Sequence, residues 1–497
     1  MRPPGVDPGE PFDIAVPASD AWFDPLSSGT VEMPLNRSSY DLVDGIRQQV
    51  NAISAFIDGS NLYASDDARS QELRTLDGTG RFKTSVGGLL PYNTNGFANA
   101  PVSTDASFFL AGDVRANEQA GLTAMHTLFV REHNNWAVRL ANDNPTLDGD
   151  TLYQVARILV GAEMQAITYN EFLPVLLGPR PLPPYAGYDP GVEPGIANVF
   201  ATAAYRVGHT MLSPFLLRLQ ADGSEAAEGH LSLADAFFNP AEIESHGIDS
   251  LLMGLCSQEA QEVDNELVDE VRNLLFGPPG AGGLDLASLN LQRGRDPGLP
   301  SYNQVRIDYG LAPAANWTEV TSNPNLQAAL SSVYASVDDI DPWIGGLCED
   351  HVEGAMVGET FFVILADQFA RLRDGDRFFY RGALPPPLVQ LVEQQTLGMI
   401  IQRNTGIGGE LQPNVFFVGQ TDMALQCLDI HAVAETGAVQ VQFNTQPGNM
   451  YDVKSSSDLV NWTPLMNDMR SQGWTTLIDD PGAATLPMRT YLILELP

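Results

Sequence analysis

Apolar positions recur with a helical period through most of this chain. Between Ala111 and Asp143 they fall at Leu122, Met125, Phe129, Trp136 and Leu140, which predicts one long helix with a buried stripe. Helices are likewise predicted over Asp41–Ile57, over Thr151–Leu177, from about Gly195 onward, and over Asn325–Thr405. Residues 1–40 lack the pattern and are rich in proline, glycine and serine, which predicts an extended arm. Residues 66–107 read as glycine-rich loop with short strands. Beyond residue 430 the period changes to two. Val439, Val441 and Phe443 alternate with Gln440 and Gln442, and Tyr451/Val453 and Tyr491/Ile493 repeat the pattern between turns at Pro447-Gly448 and Pro481-Gly482. The expectation is a mainly α domain over residues 1–430 and a small all-β, sandwich-like module over 431–497, with a core of Phe443, Tyr451, Trp462 and Tyr491.

Composition narrows the partners. The 497 residues are 44% hydrophobic, enough for a large core and more than one domain usually holds. There are 62 acidic residues against 26 basic ones, a formal charge of −36, and the only lysines are Lys83 and Lys454. Nucleic acid and anionic membrane are therefore excluded as partners. The same acidity is what a salt-adapted surface needs, and stability measured at low and high salt separates the readings. Cys256, Cys348 and Cys427 lie too far apart for a metal motif or a disulfide framework and read as free core thiols. No apolar run is long enough to span a bilayer, and the opening MRPPGVDPGEPFDIAVP has no signal-peptide pattern.

Four stretches carry candidate chemistry. Arg115 and Glu118 stand three residues apart near the start of the first helix, within reach of one site, although the same stretch reads as a core helix with a charged outer face. SAFIDGSNLYASD offers Ser54, Asp58, Ser60 and the Phe56 carbonyl, about four of the roughly six to eight oxygens that calcium takes, or else a turn satisfying its own backbone. YRVGHTMLSPF delivers Arg206, Gly208 and His209; such a histidine is either a satisfied core residue or an imidazole held for a metal. LNLQRGRD carries Asn290, Arg293, Arg295 and Asp296, by itself an ordinary ion-pair cluster.

Spelling and order say more than spacing. AGDVRANEQ leading into HTLFVREHNN resembles the animal-type haem peroxidases of the peroxidase and cyclooxygenase superfamily, in which AGD-x-R-x-x-E precedes HTL-x-x-REHN. ITYNEFLPVLLG, YRVGHTMLSPF and LNLQRGRD are similar to segments of the same family, so the likeness covers roughly residues 10–425. It implies the family's mainly α fold and haem b as cofactor, with His209 as proximal iron ligand and Asn290 as its hydrogen-bond partner. It implies Arg115 as distal arginine, Glu118 as a carboxylate able to form an ester with a haem methyl, and Arg206 and Arg293 as propionate ligands. It also implies Ser54, Phe56, Asp58 and Ser60 as calcium ligands. His126 and His133 are structural on this likeness. Arg206 stands where the cyclooxygenase branch has a radical-forming tyrosine, and Gln119 where the myeloperoxidase-like branch has a methionine, which implies no sulfonium link. Pro297 replaces the histidine that usually follows RGRD.

The implied activity is reduction of hydrogen peroxide with oxidation of small organic donors or halides, in an oxidative-stress response outside the cell or at its surface. The C-terminal module resembles β-sandwich units of secreted bacterial proteins, which implies binding to a surface or matrix component. One departure matters. The family's distal histidine and a further calcium ligand precede the calcium loop, and here the first histidine is His126. Loss of a general acid–base group costs roughly two to four orders of magnitude. Three expectations follow: a chain whose start was placed too late, a haem protein with impaired turnover, or an adhesion protein built on the fold.

Overall fold

The computed structural model describes residues 10–100, 103–179, 181–278, 283–418, 427–432, 439–444, 450–457, 461–470, 475–482 and 489–496. Two compact units meet in the chain between Gly406 and Ile407. The first is mainly α-helical and is built around α1 (Ala120–Asp143) and α2 (Gly149–Ile167). α1 is buried almost all round rather than along one stripe, so most of its polar residues find partners inside the protein, His126 Nε2 being an exception. His133 accepts from the Tyr63 hydroxyl at Nδ1 (3.0 Å) and donates from Nε2 to the Gly80 carbonyl (3.0 Å). Thr123 Oγ1 donates to the Ala116 carbonyl at 2.7 Å.

Four predicted helices differ. Asp41–Ile57 is not helical: β1 (Tyr40–Val43) and β2 (Ile46–Gln49) form an antiparallel hairpin. Asp44 and Gly45 both take positive φ, 53° and 81°, the turn that matches strand twist, and Asp-Gly between Val43 and Ile46 is its sequence signature. The long first helix begins only at Ala120, with the Gln119 side chain capping Gly121 N–H, so Gly112–Glu118 form turns instead of a first helical turn. Beyond α2 the ladder widens into a π turn over Thr168–Phe172, where Leu173 N–H bonds the Thr168 carbonyl, because Pro174 has no N–H to continue the regular pattern.

The predicted small-residue helix is a short α3 (Asn198–Thr202), a break at Ala203 and a 3₁₀ turn over Ala204–His209. Ala203, Ala204 and Val207 are buried in a cluster with Trp343, Phe361, Leu365 and Phe369, which fixes the turn from below. α4 (Leu286–Arg295), α5 (Pro342–Cys348), α6 (Glu359–Asp374) and α7 (Leu397–Asn404) complete the elements used here. The N-terminal arm pairs Ile14–Ala15 with Glu32–Met33, and residues 66–107 hold a short helix, Asp67–Leu73. Cys256 and Cys348 are buried, and burial pushes both thiols up to about 12; the Cys427 side chain lies outside the described residues. Among the described residues no helix is long and apolar enough to cross a membrane.

The second unit holds two three-stranded antiparallel sheets. β4 (Val439–Asn444) lies between β3 (Cys427–Ala432) and β7 (Thr475–Asp480), and β5 (Met450–Ser456) between β6 (Thr463–Arg470) and β8 (Thr490–Leu496). Val441 and Phe443 of the first sheet pack with Tyr451 and Val453 of the second, with Ile478 buried among them and Tyr491 against them. Trp462 lies outside that cluster, and Pro447-Gly448 outside the described residues.

Candidate active site

His209 ends the 3₁₀ turn, half-buried, with Nδ1 2.8 Å from the side-chain nitrogen of Asn290 on α4. Asn290 is fully buried. Its Oδ1 accepts from Arg206 Nη1 at 2.5 Å, and Arg206 Nε donates to the Ala201 carbonyl at 3.1 Å. A guanidinium has donors only, so Arg206 selects the amide oxygen and leaves the amide nitrogen facing His209. Burial first, then the Arg206 charge, push the imidazole down to about 4, against the opposing Asn290 bond, so the ring is neutral at neutral pH. Burial and the neighbouring Arg293 lower Arg206 to about 10.

Arg293, one turn beyond Asn290, has its Nη1 on the Asn36 carbonyl (3.1 Å), Ser38 Oγ (2.9 Å) and Asp296 Oδ2 (2.9 Å). Asp296 is buried and also meets Arg37 (3.1 Å) and the Ser38 N–H (2.7 Å). The QRGRD segment thus clamps the N-terminal arm to α4. Burial raises the Asp296 carboxyl, but the Ser38, Arg37 and Arg293 contacts outweigh it and hold the group below the usual carboxylate range.

Arg115 lies on the turns before α1, its side chain 55% exposed, and is gripped bidentately by Asp113 (Nε–Oδ1 3.0 Å, Nη2–Oδ2 2.7 Å). Asp113 is anchored in turn: its N–H donates to the Asn61 carbonyl at 2.8 Å. Gly112 packs so tightly on residues 61–64 that a Cβ there would meet Ala64 N at 2.5 Å, so this position excludes any side chain. Arg69 reinforces the join by donating to the carbonyls of Ala98 and Ala111. Glu118 is partly buried; burial raises its carboxyl, Arg115 pulls it down and Asp113 adds to the rise.

The same contact brings the oxygen-rich loop beside Arg115. Ser54 Oγ accepts from Phe56 N–H (3.1 Å), Asp58 Oδ1 from Ser60 N–H (2.9 Å), and Gly59 takes φ 72°. Ser54, Phe56, Asp58, Ser60 and Arg115 all line one cavity of ≈ 790 Å³, closed on another side by Asn198 and Ala201 of α3. His209, Asn290, Arg293 and Glu118 are not in that lining. Among the described residues no three His, Cys, Asp or Glu side chains converge on a metal site, so a cation at the loop depends on hydroxyl and carbonyl oxygens beside Asp58.

Sequence reasoning missed Asp113 as the partner of Arg115, although it stands two residues earlier in the same motif. It also missed Gln49, whose Oε1 accepts from Asn198 Nδ2 at 3.0 Å and which reaches α3 only because the hairpin is a hairpin.

The family described as animal haem peroxidase matches residues 4–416, and the chain belongs to it: it is a haem peroxidase. Peroxinectin A of Dictyostelium discoideum is 39% identical over 426 residues, 82% of this chain and 78% of its own. The human peroxidasin homolog is 40% identical over 394 residues, 75% of this chain but only 27% of that protein. Among solved structures, peroxidase A from Dictyostelium discoideum superposes with a TM-score of 0.77 at 36% identity, covering 84% of this chain and 83% of that one. A fatty acid alpha-dioxygenase of Oryza sativa, at 21% identity and TM-score 0.66 over 79% of this chain and 71% of its own, shares the fold alone.

Proposed function

We propose that this peroxidase reduces hydrogen peroxide while oxidising small organic donors or halides, outside the cell or at its surface in a peroxide-stress role, with haem b that His209 would hold and Arg115 would serve. The observation that carries the reading is the Asn290 contact on Nδ1 of a neutral His209, which leaves Nε2 as the ring's other nitrogen. Open space along the same segment supports it: Ala201, Tyr205 and Gly208 are exposed, and a Cβ on Gly208 would meet nothing within 4 Å. Bound haem supplies the iron that relays electrons from donor to peroxide.

The chain's own residues do the rest. A ligating imidazole keeps its proton on Nδ1, so Asn290 has to present Oδ1 to it, the reverse of the orientation Arg206 selects. Arg206 then needs another acceptor, which a haem propionate provides. Arg293 serves the second propionate less directly, since its Nη1 already binds the arm. Arg115, its fork oriented by Asp113, polarises the O–O bond of peroxide. Glu118 is the candidate for an ester to haem, supported by a carboxyl that burial raises toward the neutral acid. Calcium at Ser54, Phe56, Asp58 and Ser60 would stiffen the loop on which Asp113 rests. The C-terminal sheets are a binding module for a surface or matrix component, supported by exposed apolar Ile430 and Leu477 on the strands flanking β4.

A second reading is a haem protein with impaired turnover or an adhesive role. Stopped-flow reaction of the haem-loaded protein with peroxide decides between the two. Turnover of guaiacol or halide that falls about 10²–10³-fold in Arg115→Gln supports the enzyme; a haem spectrum that peroxide leaves unchanged supports the alternative.

A further inference from the structure

Behind Asn290, on the side of α5, lies a cavity of ≈ 20 Å³ bounded by Thr202, Asn290, Gly294, Arg295, Asp341 and Trp343 among others. A water molecule needs a cavity of roughly 10–15 Å³ by this measure, so the space suits one water and not a larger ligand. Trp343 is 2% exposed, and its indole N–H, a group that can only donate, has no acceptor among the described residues. Such donors in folded proteins are normally met by an acceptor or an ordered water. Around the cavity the other polar groups are accounted for: Asp341 is held by Arg295 (3.0 and 2.7 Å) and Tyr334 (2.9 Å). The amide of Asn290 has four hydrogen-bonding positions, of which Arg206 and His209 take two.

We propose that one ordered water fills this cavity, accepting from Trp343 and bonding the amide of Asn290, so that Trp343 is a positioning residue for His209. The water both donates and accepts, so it supports Asn290 in whichever orientation the amide takes. The chain of contacts then runs from Trp343 through water and Asn290 to Nδ1 of His209, and the rigid packing of Trp343 under Ala203, Ala204 and Val207 holds its two ends in register. The existence of the water rests on the cavity and the indole alone; its effect on iron rests on the reading of His209 above.

Two substitutions test it from opposite sides. Trp343→Phe keeps a ring in the cluster and removes the N–H. Gly294→Ala puts a methyl into the cavity at ordinary contact distances, 3.6 Å from Leu299 Cδ1 and 3.8 Å from the Thr202 carbonyl, so it takes the water's space without touching the indole. A high-resolution crystal structure of the parent protein should show one water within hydrogen-bond distance of Trp343 Nε1, and both variants should lose it. In the protein as purified, the ¹⁵N resonance of His209 Nδ1 should shift in both variants, and once haem is loaded the Fe(III)/Fe(II) potential should shift with it. If Trp343→Phe does not fold, Gly294→Ala decides alone. A parent cavity without ordered water, or variants that lose the water with the Nδ1 resonance unmoved, overturns the proposal. A haem-free spectrum with the water and the resonance shift both present overturns the His209 reading and leaves the water network standing.

Discussion

The side-chain nitrogen of Asn290 lies 2.8 Å from Nδ1 of His209, across 3₁₀ turn and helix segments that are eighty-one residues apart in the chain. Replacing His209 with alanine should therefore abolish the Soret band of the reconstituted protein; undiminished haem affinity rules out His209 as ligand. Asn290→Ala should keep haem but bind it or turn over about 10–100-fold less well, with a displaced reduction potential, as loss of a ligand's hydrogen-bond partner does elsewhere.

Glu118 offers a chemical test. After peroxide treatment and acid-acetone extraction, mass spectrometry should find haem attached to a peptide containing Glu118, and Glu118→Gln should release haem freely. Free haem from the parent protein as well would remove Glu118 from the list of linking residues.

Calcium should act through the loop that carries Asp58. Chelation is expected to lower the melting temperature, and calcium at about a hundredfold above its dissociation constant should return about 2.7 kcal/mol. Asp58→Ala should abolish that response, and so should leave the melting temperature equal with and without the chelator.

Stability should also depend on pH through Glu163. This fully buried carboxyl accepts from Trp136 Nε1 at 3.0 Å and shares Arg403 with Glu132, Arg403 lying 3.4 Å from Glu163 and 2.8 Å from Glu132. Burial first, then the charge of Glu132, push it up to about 8 from 4.5, and Arg403 offsets the rise only in part. The folded state keeps a proton that the unfolded chain releases, so the stabilisation is full below the unfolded value and is lost as pH rises through the folded one. Glu163→Gln should accordingly melt near the parent at about pH 5 and above it at about pH 9. A difference that stays constant across that range would show that Glu163 is ionised throughout.

Motif spelling carried the site residues further than periodicity did. The strings around Arg115, His209 and Asn290 identified the family before any geometry, because each keeps several chemically constrained positions in a fixed order. The two-residue alternation after residue 430 likewise revealed strands, since each inward position had to be apolar to meet the opposite sheet.

Other features only the tertiary structure decided. Leu42, Val43 and Ile46 suited a helix by spacing, but the positive φ of Asp44 and Gly45 turned them into a hairpin, and Gln49 thereby reached Asn198. Arg115 and Glu118 had helical spacing, yet Asp113, tied to the backbone of Asn61, holds that segment as turns until Gln119 caps α1. Arg293 and Trp343 illustrate the general limit. Local sequence reports propensity and chemistry, while the partner of a buried donor is set by which distant segment packs against it: Asn36 and Ser38 for the one, and a cavity beside Asn290 for the other.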